Sequence, residues 1–173
     1  MPSCVRNALA VLAVLSTALP LAAHADTPQN LSAKIDGQVF ESGDAEILFL
    51  YPIKNTFNLI ASTKGAAAYP PPKTPIDKLS ITCRNFAEKP VKFVAKDFGT
   101  HGCEVRFIKG ESKKPFGDPD AEYRLAGGNN VLEVTSVKGK VVEGTFAFEL
   151  VDAKTKAKHV VAEGKFKAED RQK

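Results

Sequence analysis

The chain has 173 residues, 43% of them hydrophobic, and its 24 basic and 20 acidic side chains give a formal charge of +4. That composition excludes a disordered polyelectrolyte, and the length suits one domain with a sizeable core. Lysines are scattered along the chain, with no basic face interleaved with aromatics, so nucleic acid is not expected as a partner.

The first 25 residues read as a secretion signal. Arg6 supplies a positive start, residues 8–19 (ALAVLAVLSTAL) form an uncharged apolar run, and Pro20 ends it. Ala23-His24-Ala25 then places small residues at the −3 and −1 positions of a cleavage site. Those 12 residues are too few to cross a bilayer, which takes about 20. Cys4 precedes the apolar run, whereas a lipoprotein cysteine must follow it. Cleavage after Ala23 would expose His24 as an N-terminal copper ligand, but it would put Leu21 at −3, where small residues are preferred. Cleavage after Ala25 leaves 148 residues, 26–173, with 23 basic side chains against 20 acidic ones. They are expected to form a single soluble β-rich domain with no integral membrane span, exported to the periplasm or beyond the cell.

Export also fixes the reading of the cysteines. Only Cys83 and Cys103 remain after Cys4 is removed, and two cysteines in an oxidising compartment pair. Closing a loop of about 20 residues is worth roughly 3 kcal/mol in the chain-entropy model. A metal site made of Cys83, His101 and Cys103 is the rival; it lacks a fourth ligand, and His101-Gly102-Cys103 is too tightly spaced for a structural zinc site. No metal or cofactor is expected.

After a polar lead-in at residues 26–30, period-two runs separated by Gly, Pro, Asn and Asp predict strands. Residues 31–35 and 38–40 flank Asp36-Gly37, a hairpin signal because both turn positions need positive φ. Residues 45–51 predict a more apolar strand, Asn55 a turn, and 57–62 a strand with Phe57, Leu59 and Ala61 on one face. Residues 64–75 interrupt the sheet; the proline-rich Tyr69-to-Pro75 stretch is expected to be an extended surface connection. Strands follow at 79–84 and 103–108, with a weaker segment around Phe93. Residues 109–122 predict a long loop, whose Asp118, Asp120 and Glu122 read as a solvated acidic turn rather than a calcium site. A short strand at 123–125 leads to a turn at 127–130.

The last third predicts three consecutive antiparallel strands, at 131–138, 141–151 and 160–167. Glu143-Gly144-Thr145-Phe146 and Glu163-Gly164-Lys165-Phe166 nearly repeat. A hairpin turning near Thr155 sets Gly144 opposite Phe166 and Phe146 opposite Gly164, so each ring covers the bare backbone of the facing glycine. The same register predicts an inner face of Gly144, Phe146, Phe148, Leu150, Val160, Ala162, Gly164 and Phe166, with Glu143 opposite Lys167. A three-residue connection, Lys138-Gly139-Lys140, adds Leu132 and Val134 to that face.

VVEGTFAFEL followed by a charged turn and VVAEGKF resembles the end of an uncharacterised family of small exported bacterial β-rich proteins with a GTFxF strand and a GxF strand. The early hairpin, Ala33-Lys34-Ile35-Asp36-Gly37-Gln38-Val39-Phe40, resembles their opening one. The resemblance implies an exported β domain and supplies no activity; family members are often lipoproteins, and this chain departs by lacking the lipidation cysteine.

No Gly-x-Ser-x-Gly elbow, His-Glu-x-x-His, phosphate-binding loop or dinucleotide fingerprint is present. His159 is expected at the surface among lysines, and His101 could be joined by Asp97 and Ser80 into a hydrolytic trio. The fold expected is all-β: an antiparallel two-sheet sandwich, preferred because long loops interrupt the strands, or a partly closed barrel, of roughly eight to ten strands. The function expected is a non-enzymatic exported binding or envelope-associated domain, with no catalytic residues, an unassigned binding site, and a protein or a small apolar ligand as partner. The eleven phenylalanines would line a cavity for such a ligand or fill a core, core being the default. Alternatives are a small secreted hydrolase or metal-dependent enzyme using His101, and an inhibitor of a secreted enzyme contacting it through the Tyr69-to-Pro75 loop.

Overall fold

Strict alternation of buried and exposed side chains organises the chain. In Thr56–Ser62, Phe57, Leu59 and Ala61 are buried while the residues between them look outward. The structure, a computed structural model, describes residues 28–50, 55–70, 72–99, 101–111 and 118–172. The expected signal at 1–25, and Phe116 with its neighbours, lie outside the described residues.

Among the described residues eleven strands form: β1 Asn30–Ile35, β2 Gln38–Ser42, β3 Ile47–Leu50, β4 Thr56–Ser62, β5 Ile76–Arg84, β6 Val91–Phe93, β7 Cys103–Glu111, β8 Ala121–Leu125, β9 Val131–Lys138, β10 Val141–Asp152 and β11 Lys158–Glu169. They make one antiparallel sheet in the order β2-β1-β11-β10-β8-β7-β5-β4-β3; β9 shares the edge of β10 with β8, and β6 pairs with β9. The sheet curls into a nearly closed barrel, the second of the two expected architectures, because its free edges are drawn together. The buried side chain of Gln29, just before β1, bridges the edge strand β3 to the end of β11: Nε2 donates to Ile47 O at 3.3 Å, and Oε1 accepts the Glu169 N–H at 2.8 Å. Ser42 Oγ donates to Ser62 O at 2.5 Å and Lys64 N to Glu41 O at 2.6 Å, while Arg171 pairs with Asp44 at 2.6 Å.

Phenylalanine fills the barrel. Phe57 meets Phe49, Phe86 and Phe166 at 5.1–5.8 Å between ring centroids, and Phe40 stands edge-on to Phe107 at 5.7 Å. Edge-to-face contacts of this kind add about 0.5–1.5 kcal/mol each to plain burial. These rings are core.

The Asp36-Gly37 hairpin forms with φ of 50° and 80°, and Gly144 faces Phe166 while Phe146 faces Gly164. Leu132 and Val134 are buried on the same side, and Glu143 lies opposite Lys167. Four local expectations need correction. Residues 44–46 form a 3-10 turn rather than the start of a strand, because the Glu46 carboxylate reaches back to Gly43 N at 3.1 Å and across to Gly65 N at 3.0 Å. β7 and β8 extend into the predicted 109–122 loop, pairing Lys109 with Ala121 and Ile108 with Glu122. The β9–β10 turn has two residues, Gly139 and Lys140, with a bulge between Glu143 and Gly144 restoring the face.

The fourth correction reaches furthest. Ala162 and Glu163 together oppose the single residue Ala147, a β-bulge with Glu163 at φ 54°. Beyond it every side chain changes face. Val161 is buried and Val160 is 51% exposed, the reverse of the expected sorting, and Ala162 leaves the inner face.

Candidate functional site

Cys83 and Cys103 face each other across β5 and β7, fully buried, with their sulfurs bonded at 2.05 Å and their Cα atoms 3.9 Å apart. Neither sulfur is then free to ligate a metal with His101. His101 is exposed on the loop before β7, beside a concavity of about 400 Å³ that Asp97 and Lys96 also line. The expected trio does not assemble. Asp97 Oδ2 accepts the Val94 N–H at 2.9 Å, capping the 3-10 turn Ala95–Asp97, and Ser80 sits on β5 opposite Arg106, facing a different concavity.

The histidine that does meet a carboxylate is the other one. The β11 bulge turns His159 inward, where its ring stacks on Tyr123 at 3.7 Å between centroids and 7° between planes. This corrects its expected place at the surface. Its Nδ1 donates to Asp36 Oδ2 at 2.6 Å, and Asp36 Oδ1 accepts the Val160 N–H at 2.8 Å. Burial works against ionisation of Asp36, but these bonds and the nearby charges of His159 and Lys109 hold its carboxyl below the ordinary value. Burial, reinforced by the carboxylates of Asp152, Asp36 and Asp77, pushes the Tyr123 phenol up, so it stays neutral. A carboxylate-oriented imidazole can move a proton. This one, however, lines neither the concavity beside His101 nor that beside Ser80; it ties the β1–β2 hairpin to β11.

The broad concave surface lies on the outside of β4, β5, β7 and β8 and encloses about 610 Å³. One row across the sheet runs Ile60, Ser80, Arg106, Arg124; the next runs Asn58, Thr82, Glu104. Strand alternation sends these side chains outward because their neighbours Leu59, Ile81, Val105 and Tyr123 are core. Arg106 and Arg124 stand directly opposite each other, an arrangement that like charges disfavour. Glu122 relieves it by accepting Arg106 Nη2 through one oxygen and Arg124 Nε through the other, both at 2.7 Å. The Arg106 bond chiefly, then that to Arg124, lowers the Glu122 carboxyl below its ordinary range against the opposing effect of burial. Thr82 Oγ1 donates to Asn58 Oδ1 at 3.0 Å.

No protein-family model, curated protein or solved structure matches the chain.

Among the described residues no group of three His, Cys, Asp or Glu side chains is placed to hold a metal ion, and no helix is long and apolar enough to cross a membrane. Glu122, which the sequence places in an acidic turn, instead serves two arginines. Sequence reasoning missed the Arg106–Glu122–Arg124 cluster because its members come from two strands whose adjacency appears only in the fold. Their one sequence signal was alternation: Arg106 and Arg124 each sit at the polar position between apolar ones.

Proposed function

We propose that this chain is an exported, non-enzymatic binding domain that holds its ligand on the concave outer face of β4, β5, β7 and β8. The observation that carries the reading is a division of labour. The Asp36–His159 pair is spent on holding a hairpin, while the open surface carries hydroxyl, amide, carboxylate and guanidinium groups suited to hydrogen-bond recognition of a ligand, with no histidine in its lining to activate a hydroxyl. Export is supported by the buried Cys83–Cys103 bond, which persists in oxidising compartments, and by the signal-like residues 1–25. Kinship with the small exported β-rich family is part of the same proposal.

Expression of the full chain in a bacterial host tests both halves. Mature protein recovered from the periplasm or medium should begin at Asp26 and show no esterase, glycosidase or peptidase turnover. Turnover abolished by His101→Ala or by His159→Ala in a folded variant would overturn the non-enzymatic reading. A cytoplasmic chain with an intact N-terminus would overturn export.

A second reading, an inhibitor or docking protein acting through the Tyr69-to-Pro75 loop, is favoured by one observation: Tyr69 is 96% exposed. Tyr69→Ala should abolish such an interaction and leave binding at the concave face unchanged.

A further inference from the structure

The chemistry of the concave face narrows its ligand, on the premise that this face is the binding surface. Two guanidinium groups hold ten N–H donors between them, and Glu122 takes one from each. No other protein acceptor engages either arginine among the described residues. Their side chains are 51% and 68% exposed, so the unused edges are accessible. Two arginines against one carboxylate leave one positive charge, and a guanidinium fork matches the paired oxygens of a carboxylate or phosphate.

The rest of the face is not that of a bare anion site. Glu104 lies two residues along β7 from Arg106, roughly 7 Å away at strand spacing, and it offsets the surplus charge over the whole concavity. Ser80 and Thr82 present hydroxyls and Asn58 an amide between the two ends. A ligand satisfying all of these carries an oxyanion at one end and several hydroxyl groups that donate to Glu104 and exchange hydrogen bonds with Ser80, Thr82 and Asn58. Ile60 and Leu125 add apolar surface for carbon–hydrogen faces. The 610 Å³ volume falls within the range of about 300–1,000 Å³ typical of small-molecule sites. We propose that the outer face of β4, β5, β7 and β8 binds an acidic saccharide, with Arg106 and Arg124 taking its carboxylate or phosphate and Ser80, Thr82, Asn58 and Glu104 taking its hydroxyls.

Titration of the mature protein with glucuronate, glucose 6-phosphate, glucose and inorganic phosphate, followed by the arginine Nε–H resonances and by calorimetry, tests this. Glucuronate and glucose 6-phosphate should both bind and shift the Arg106 and Arg124 signals; glucose and inorganic phosphate should bind at least about tenfold more weakly, each lacking half the recognition. Arg106→Gln and Arg124→Gln should each weaken the two acidic sugars about tenfold or more. Arg106→Lys, which keeps the charge and the fold but lacks the planar fork, should weaken them severalfold. Glu122→Gln removes the internal competitor and should tighten acidic-sugar binding severalfold. Inorganic phosphate binding as tightly as glucose 6-phosphate would overturn the saccharide and leave a bare anion site. Unmoved arginine signals, or weaker binding in a folded Glu122→Gln variant, would overturn the site itself. Either failure without enzymatic turnover leaves the binding-domain reading standing, whereas turnover would remove that reading independently.

Discussion

The backbone N–H of Glu169 donates to Oε1 of Gln29 at 2.8 Å, and through that one side chain the last strand is joined to β3, whose Ile47 carbonyl accepts from the same amide. Backbone pairing does not link these strands, so a buried side chain stands in for the missing ladder. Gln29→Ala removes both hydrogen bonds from a site only 4% exposed and should cost about 1–3 kcal/mol. Gln29→Glu should cost more, because a carboxylate oxygen would face the carbonyls of Ile47 and Asp44. Urea denaturation of the three proteins ranks them. Equal stability of the wild type and Gln29→Ala would mean that the barrel edges hold without this bridge.

The reciprocal glycine–phenylalanine pairs make a second, ordered prediction. A methyl group at Gly164 would run into the ring of Phe146, and one at Gly144 would strike both the ring of Phe166 and the backbone oxygen of Glu133. Overpacking of this kind costs about 1–3 kcal/mol. Gly144→Ala should be the worse of the two, since a backbone atom yields less readily than a ring. Gly127→Ala, which meets open space, should stay within about 0.5 kcal/mol of wild type. The order Gly144, Gly164, Gly127 in thermal or urea midpoints is the test, and a Gly164→Ala variant as stable as Gly127→Ala would show that Phe146 does not cover that glycine.

These pairs were legible from sequence because strand faces alternate with a period of two and both segments carry the same glycine–phenylalanine spacing. The bulge at Ala162–Glu163 was not legible: Glu163 takes a positive φ with no glycine or asparagine to announce it. One extra residue there exchanged Val160 for Val161 in the core and carried His159 from the surface into contact with Tyr123 and Asp36. Gln29 read as part of a polar lead-in because its partners lie 18 and 140 residues away. The concave face was hidden for a related reason. Asn58, Ser80, Arg106 and Arg124 are ordinary outward positions until the order β4-β5-β7-β8 sets them side by side.

The cross-strand disulfide offers a third prediction. Both cysteines are fully buried and directly opposed, so the native protein should take up no alkylating reagent before unfolding and reduction. Replacing both with alanine reopens a 20-residue separation and should lower stability by about 3 kcal/mol in the chain-entropy model. Removing both sulfurs together avoids leaving a lone thiol, so the loss reports on the crosslink. Mass spectrometry after alkylation, with and without denaturant, reads the first outcome and urea titration the second. Uptake of two alkyl groups by the folded chain would show the cysteines reduced and the crosslink absent.

Acid should loosen the β1–β2 hairpin through Asp36. Its carboxyl is held below the ordinary 3.8 because, although burial opposes ionisation, the bond from His159, the Val160 N–H and the charges of His159 and Lys109 together outweigh it. A folded-state value below the unfolded one means that the folded chain binds fewer protons on this group than the unfolded chain does. Its stabilisation is therefore complete above the unfolded value and lost as pH falls through the folded one. Asp36→Asn keeps a residue tolerant of the turn's positive φ, here 50°, while removing the charge. The side chain is 45% exposed, so solvent screening limits the effect to about 1 kcal/mol or less. Urea titrations of both proteins should give a wild type more stable at neutral pH, with the difference shrinking once pH drops below the ordinary carboxylate value. A difference that stays constant from neutral pH into strong acid would place the contribution of Asp36 in turn geometry rather than in its bond to His159.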